Sequence, residues 1–292
     1  MLGAIASKLS SPLIASGQRV LPATIMTNNM AQRNRPYVKG QTEPFKVSRS
    51  KIELFMQCPR CFYLDAKLRI PRPSGPPFTI NKAIDELFKK EFDSYRATKQ
   101  PHPIMSEYAV DAVPMQHDML DTWRHNFTGV STLHQPTNLW VFGAIDDLWV
   151  NSKGEAMVVD YKATAKEQGV SIDSDWQISY KRQLEVYQWL LRRNGLKVSN
   201  TGYFVYTNAN VKADGFYNKV DFETILIPYV GSDDWIEPTL VKMKECLDSD
   251  DMPPVGKAAM GGSCEYCQYA RARTELTLSA LEPSAKKKVK SK

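Results

Sequence analysis

Apolar and polar positions along the middle of the chain follow the pattern of β-strands. Residues 139–150 and 156–161 are rich in apolar, β-branched and aromatic types, and Asn151 to Gly154 between them have the composition of a tight turn. Both faces of the segment are apolar, which predicts a β-hairpin covered on both sides. Two further strands are expected at residues 203–206 and 223–227.

Other segments have the three-to-four-residue spacing of amphipathic helices. This spacing predicts helices over residues 80–96 and 175–194, the second ending at Asn194-Gly195. Ser48 is a typical N-cap for a short helix that we expect to end at Pro59. The mixture of strands and helices predicts an α/β fold with a mixed β-sheet flanked by helices.

The turn determines which residues of the hairpin face each other. With Gly154 in the left-handed position of a three-residue loop, counting outward along both strands places Asp146 opposite Asp160. Lys162 lies on the same face, because side chains repeat every second residue in a strand. Two directly opposed carboxylates destabilise a sheet unless their charge is compensated. A divalent cation would compensate it; the alternative is a pair of solvated surface charges.

These residues carry a resemblance to a known family. Gly143-Ala144-Ile145-Asp146 and Asp160-Tyr161-Lys162 resemble the G-x-x-D and D-x-K motifs of PD-(D/E)XK nucleases, in particular the branch with the RecB and AddB nuclease domains and the CRISPR-associated RecB-like exonucleases. Gln183 to Tyr187 resembles the Q-x-x-x-Y motif of that branch. The resemblance implies a restriction-endonuclease-like core and an enzyme that hydrolyses phosphodiester bonds in DNA, acting on ends or single strands.

The resemblance also implies roles for individual residues. Metal ligands for Mg²⁺ or Mn²⁺ would be Asp146, Asp160 and the backbone carbonyl of Tyr161. Lys162 would orient the attacking water or stabilise charge, and Gln183 and Tyr187 would position the strand.

One expected ligand is missing from the pattern. In the family a helix before the hairpin often supplies a histidine to the metal, but the helix predicted over residues 80–96 has none. We expect Asp85 to take that place as an oxygen ligand, with Glu86 as the competing choice.

Four of the five cysteines form two C-x-x-C pairs, Cys58 with Cys61 and Cys264 with Cys267. Four thiolates suit either a tetrahedral zinc ion or an iron–sulfur cluster, and the spacing does not choose between them. A shared metal would join the two ends of the domain. The fifth, Cys246, lies in a helical segment over residues 232–247 and is expected to be a core residue.

The resemblance favours a [4Fe–4S] cluster at these cysteines. Cluster-bearing members begin the domain with a serine-capped helix leading into a C-P-R-like segment and close it with further cysteines. Those members commonly have one cysteine in the first group and three in the last, whereas this chain has two and two.

Charge is concentrated at the ends of the chain. The net charge is +6, but residues 1–51 carry +7 and residues 283–292 carry +5, so the remainder is −6. The basic pI is therefore no evidence for a basic nucleic-acid groove. We expect a disordered basic extension over residues 1–45, a nuclease domain over 46–275 and a Lys-rich tail over 276–292.

No apolar run reaches the length of a membrane span, which predicts a soluble protein of the cytoplasm or another intracellular compartment. Lys8, Arg19 and Arg33 leave a mitochondrial presequence open. Two alternative functions also stay open: a non-cleaving nucleic-acid-binding module on the nuclease fold, and a phosphodiesterase with a substrate other than DNA. The sequence does not identify protein partners.

Overall fold

The computed structural model describes residues 35–167, 169–257 and 261–281. Most of the basic extension expected over residues 1–45, and the end of the Lys-rich tail, lie outside these residues. In chain order the elements are β1 (Phe45–Ser48), α1 (Arg49–Gln57), α2 (Pro59–Leu68), α3 (Thr79–Thr98), α4 (Pro103–Glu107), β2 (Val113–Pro114), α5 (Leu120–Arg124), β3 (Val130–His134), β4 (Leu139–Gly143), β5 (Asp147–Val150), β6 (Ala156–Thr164), α6 (Ile178–Arg193), β7 (Thr201–Ala209), β8 (Phe222–Val230), α7 (Ile236–Asp248) and α8 (Glu265–Leu281).

The strands form two mixed sheets flanked by helices, which confirms the expected α/β class. One sheet has the order β1-β4-β3, with β1 parallel to β4. The other has the order β2-β5-β6-β7-β8, in which β6 and β7 are parallel and the other neighbours antiparallel. None of the described helices is long and apolar enough to cross a membrane.

The prediction of one continuous strand over residues 139–150 is wrong. The chain leaves the first sheet after Gly143 and enters the second at Asp147. Two contacts account for the break. A Cβ at Gly143 would lie 2.7 Å from the Tyr187 ring, and the Ile145 N–H donates to the carbonyl of Trp123 (3.1 Å) rather than to a neighbouring strand. Asp146 therefore lies at the seam between the sheets.

The register of the hairpin is the one that the turn predicts. Asp147 pairs with Val159 and Val150 pairs with Ala156, so the same count places Asp146 opposite Asp160. Gly154 has φ +71° and donates its N–H to the carbonyl of Asn151 (2.9 Å).

The side chains of β6 alternate between two hydrophobic cores. Val159 and Tyr161 pack on the side of α3 with Phe92, whereas Val158 packs on the other side with Leu184 of α6. Because the period of a strand is two, Asp160 points to the side of α6.

The N-terminal part of the domain differs from the prediction in two ways. Ser48 does cap α1, and its Oγ accepts from the Lys51 N–H (3.3 Å), but a second helix that the pattern did not predict starts at Pro59. Cys58 before the proline is extended, and a proline in the first helical turn has no N–H to lose, so the chain ends one helix and starts another there. Packing also begins earlier than residue 46, since Tyr37 is buried and donates its N–H to the carbonyl of Ala66 (2.8 Å).

Candidate functional site

Two carboxylates lie close together at the boundary between the two sheets, one just before β5 and the other on β6. Asp160 on β6 is fully buried, and Asp146 is partly buried just before β5. Asp146 accepts the Tyr161 N–H at Oδ2 (2.9 Å), which ties it to the strand that carries Asp160. Burial, followed by the charge of Asp160, raises the pKa of Asp146 to about 7. The site therefore holds its two carboxylates together at an electrostatic cost.

The other predicted catalytic residues surround Asp160. Gln183 of α6 donates its Nε2 hydrogens to Asp160 Oδ1 (2.7 Å) and to the Tyr187 hydroxyl (3.3 Å). Lys162 forms an ion pair with the buried Asp160 at Oδ2. The structure thus brings together Asp146, Asp160, Lys162, Gln183 and Tyr187.

Asp85 lies on α3, near enough to Asp146 for the two charges to affect each other. Its carboxylate forms an ion pair with Lys89 (2.7 Å), and burial and then the charge of Asp146 raise its pKa. Burial lowers the pKa of Lys89, but the hydrogen bond and charge of Asp85, followed by the charge of Asp146, raise it overall. Glu86, the competing choice, is more exposed and lies 3.5 Å from Lys89.

Asp147, next to the predicted ligand, was missed by sequence reasoning. It points to the opposite side from Asp146 and is fully buried, paired with Arg96 of α3 and with Arg124 of α5 (2.7 Å). The Tyr161 hydroxyl donates to its second oxygen (2.7 Å). Arg124 also donates to the backbone carbonyl of Asp146 (3.1 Å), so this buried network holds the backbone of the candidate site. The sequence did contain a signal for this role. Neighbouring residues of a strand face opposite sides of the sheet, so if Asp146 faces Asp160, the adjacent Asp147 must face the other side and needs a partner there.

Arg49, at the start of α1, was also missed. Its Cβ lies beside Gly143, and its positive charge lowers the pKa of Tyr187, although burial raises that pKa more strongly. Within the described residues its guanidinium forms no ion pair or side-chain hydrogen bond. A guanidinium with free donors beside the candidate catalytic group is suited to a phosphate.

The four cysteines predicted to share a metal come together at the end of the domain. The Sγ atoms of Cys58, Cys61, Cys264 and Cys267 all lie within 4.8 Å of one another, and Cys246 is not among them. The Sγ–Sγ distances are 3.8 Å between Cys58 and Cys267, 3.7 Å between Cys61 and Cys264, and 3.6 Å between Cys61 and Cys267.

The thiols of this cluster differ: backbone donors lower the pKa of Cys58, whereas burial raises the pKa values of Cys61 and Cys267. Burial raises the pKa of Cys58, but the N–H groups of Cys61 and Gly256 point at its Sγ and bring that pKa down to about 7. Arg72 donates to the Cys264 Sγ (3.4 Å). Gly256 must be a glycine here, because a Cβ would lie 2.1 Å from the carbonyl oxygen of Gln57.

The arrangement of motifs matches one protein family. The sequence profile of the PD-(D/E)XK nuclease superfamily matches residues 46–272, well over half of the chain. The chain belongs to the PD-(D/E)XK nuclease superfamily. Nucleases of this superfamily are hydrolases that use divalent metals, so the superfamily indicates a metal-dependent nuclease with a nucleic-acid substrate.

Other comparisons add little. No curated protein sequence matches the chain. A solved structure described as the crystal structure of SSO0001 is 13% identical, covers 76% of this chain and 82% of that chain, and has a TM-score of 0.29. A likeness at that score supports no argument about function.

Proposed function

We propose that this superfamily member is a metal-dependent deoxyribonuclease of the RecB- and AddB-like branch, acting on DNA ends or single strands. One observation carries the proposal. Asp146 and Asp160 are held side by side, and burial together with the charge of Asp160 raises the pKa of Asp146 to about 7, although Lys162 is ion-paired with Asp160. A pair of adjacent carboxylates that Lys162 compensates only in part fits a hard divalent cation.

The residues present allow each role to be assigned. Asp146, Asp160 and the Tyr161 carbonyl would hold Mg²⁺ or Mn²⁺, and Asp85 would add a fourth oxygen if Lys89 released it. When bound, the ion lowers the pKa of a water and offsets charge on the phosphate. Lys162 presents its ammonium beside Asp160, where it can orient the water or stabilise developing negative charge. Gln183 fixes the orientation of Asp160, and Tyr187 fixes that of Gln183.

The test uses end-labelled single- and double-stranded DNA incubated with Mn²⁺, with Mg²⁺ or with no added metal. We expect cleavage that requires the ion and that is lost in Asp160→Ala and Lys162→Ala, while the exposed Asp250→Ala keeps full activity as a matched control. Full activity of Asp160→Ala would contradict the site assignment. Binding of DNA without cleavage would favour the non-cleaving module, and cleavage of small phosphodiesters alone would favour a different substrate.

We also propose that the four cysteines bind one metal centre that joins the start of α2 to the start of α8. Tetrahedral zinc with bonds of about 2.3 Å places its sulfurs about 3.8 Å apart, close to the separations of 3.6 to 3.8 Å found here. The [4Fe–4S] cluster implied by the resemblance would need the thiolates farther apart, because the atoms of the cluster lie between them. Elemental analysis of anaerobically purified protein separates the two, as iron with sulfide or as one zinc per chain.

A further inference from the structure

A strip of aromatic and lysine side chains leads away from the candidate catalytic lysine. Lys162 Nζ lies 4.5 Å from the ring centroid of Tyr180, and Trp176 packs edge-on against Tyr180 at 5.5 Å. Lys166 Nζ then lies 5.2 Å from the centroid of the Trp176 ring. We call Lys162, Tyr180, Trp176 and Lys166 the aromatic–lysine strip. It connects the β6 side of the site to solvent, since Trp176 is 37% exposed.

The strip is held in place by buried polar contacts. The backbone of Lys166 is fixed from both sides by Asn208, which accepts its N–H (2.8 Å) and donates to its carbonyl (2.9 Å). Gln177, next to Trp176, is fully buried and accepts the Ser174 N–H (3.0 Å). An exposed tryptophan on such a braced turn presents a pre-arranged ring surface.

The start of α3 contacts the end of β6. Asn81, in the first turn of α3, donates to the carbonyl of Ala163 (3.0 Å), which directly follows Lys162. Phe78, three residues before Asn81, is 78% exposed. The chain leading into α3 therefore also carries an exposed ring, in addition to Trp176 before α6.

The surface around the aromatic–lysine strip is not strongly basic, so charge alone would not make it bind nucleic acid. Asp173 and Asp175 accompany Trp176 on the same turn, and Asp173 pairs with Lys181 (3.3 Å). Residues 52–282 carry a net charge of −6. Stacking of a base on an aromatic ring is a contact between two π-faces and needs no charged partner.

We propose that the ring of Trp176, braced by Tyr180, stacks on an unpaired base of a single-stranded nucleic acid next to the scissile phosphate. Lys166 then lies beside the adjoining backbone. In a duplex the bases stack on each other and their faces are not available to the ring, so the strip selects single strands. The position of the scissile phosphate rests on the proposed function; the stacking role of Trp176 does not.

The experiment compares a single-stranded oligonucleotide of about 12 nucleotides, the same sequence as a duplex, and a small chromogenic phosphodiester too short to reach Trp176. For Trp176→Ala we expect KM for the single strand to rise about tenfold, equivalent to about 1.4 kcal/mol, with kcat unchanged. Activity on the small phosphodiester should not change. Trp176→Phe should restore most of the affinity, because it keeps a ring.

Tyr108→Ala is the matched control. Tyr108 is 39% exposed, close to the value for Trp176, but it lies beside Asn151 and Lys153 at the turn end of the hairpin, away from Lys162. An unchanged KM for the single strand in Trp176→Ala, or an equal rise for the duplex and the single strand, would overturn the proposal. If the wild type cleaves none of the three substrates, the proposed function fails; fluorescence anisotropy with the labelled single strand then tests Trp176 by the same tenfold change in Kd.

Discussion

Replacing Asp146 by asparagine tests whether the site holds its carboxylates at a cost. Burial and the charge of Asp160 raise the pKa of Asp146 from its usual 3.8 to about 7. Between these two values the folded protein keeps a proton that the unfolded chain releases, so stability falls as the pH rises from about 4 to 7. A shift of about three units corresponds to about 4 kcal/mol, which is the upper limit for the gain in Asp146→Asn at pH 8.

The amide can keep the local geometry, because its oxygen can still accept the Tyr161 N–H. We therefore expect Asp146→Asn to raise the free energy of unfolding by about 1–4 kcal/mol at pH 8 and by less than half of that amount at pH 5. Urea denaturation at both pH values measures this, without added divalent metal. The buffer must contain no chelator, since a chelator would also remove the metal proposed at the four cysteines and so destabilise the protein by another route.

Added Mn²⁺ provides the matching control. It should stabilise the wild type at pH 8, because a ligand that binds the folded state raises its stability, but it should not stabilise Asp146→Asn. The reasoning is refuted if the variant is less stable than the wild type at pH 8, or if its gain is equal at pH 5 and pH 8.

Substitutions at three further places test the remaining parts of the molecule. Asp85→Ala should raise the Mn²⁺ concentration needed for half-maximal cleavage several-fold and Asp85→His should restore much of it; an unchanged metal dependence in both would exclude Asp85 as a ligand. Cys58→Ser should lower metal content and melting temperature together, whereas Cys246→Ser should keep the metal content, as elemental analysis and thermal melts can show. Asp147→Asn should cost about 1.5–3 kcal/mol in urea denaturation, because it leaves Arg96 and Arg124 with the half-exposed Asp93 as their carboxylate partner among the described residues; a loss below 1 kcal/mol would show that the network is not needed for stability.

The parts of the site that the sequence predicted depend on residues close together along the chain or on the number of available ligands. The hairpin register follows from the turn at Gly154, and the alternation of strand side chains then places Lys162 beside Asp160. The shared site of the cysteines follows from counting thiolates, since each C-x-x-C pair supplies only two.

The parts that sequence missed depend on partners far away along the chain. The break after Gly143 comes from the approach of the Tyr187 ring, 44 residues later, and an apolar run shows no sign of it. The pairing of Asp147 with Arg96 likewise joins residues 51 positions apart. The packing of Arg49 beside Gly143 could not be read from α1 alone, because only the folded seam brings those elements together.

The seam explains how two adjacent aspartates come to differ. Asp147 faces α3, where Arg96 and Arg124 neutralise it within the protein. Asp146 faces Asp160, and burial together with the charge of Asp160 raises its pKa to about 7. Lys162 and the Tyr161 N–H offset only part of this effect, because Lys162 is shared with Asp160. The fold thus compensates Asp147 internally and Asp146 only in part, and a cation from solution can supply the remaining positive charge.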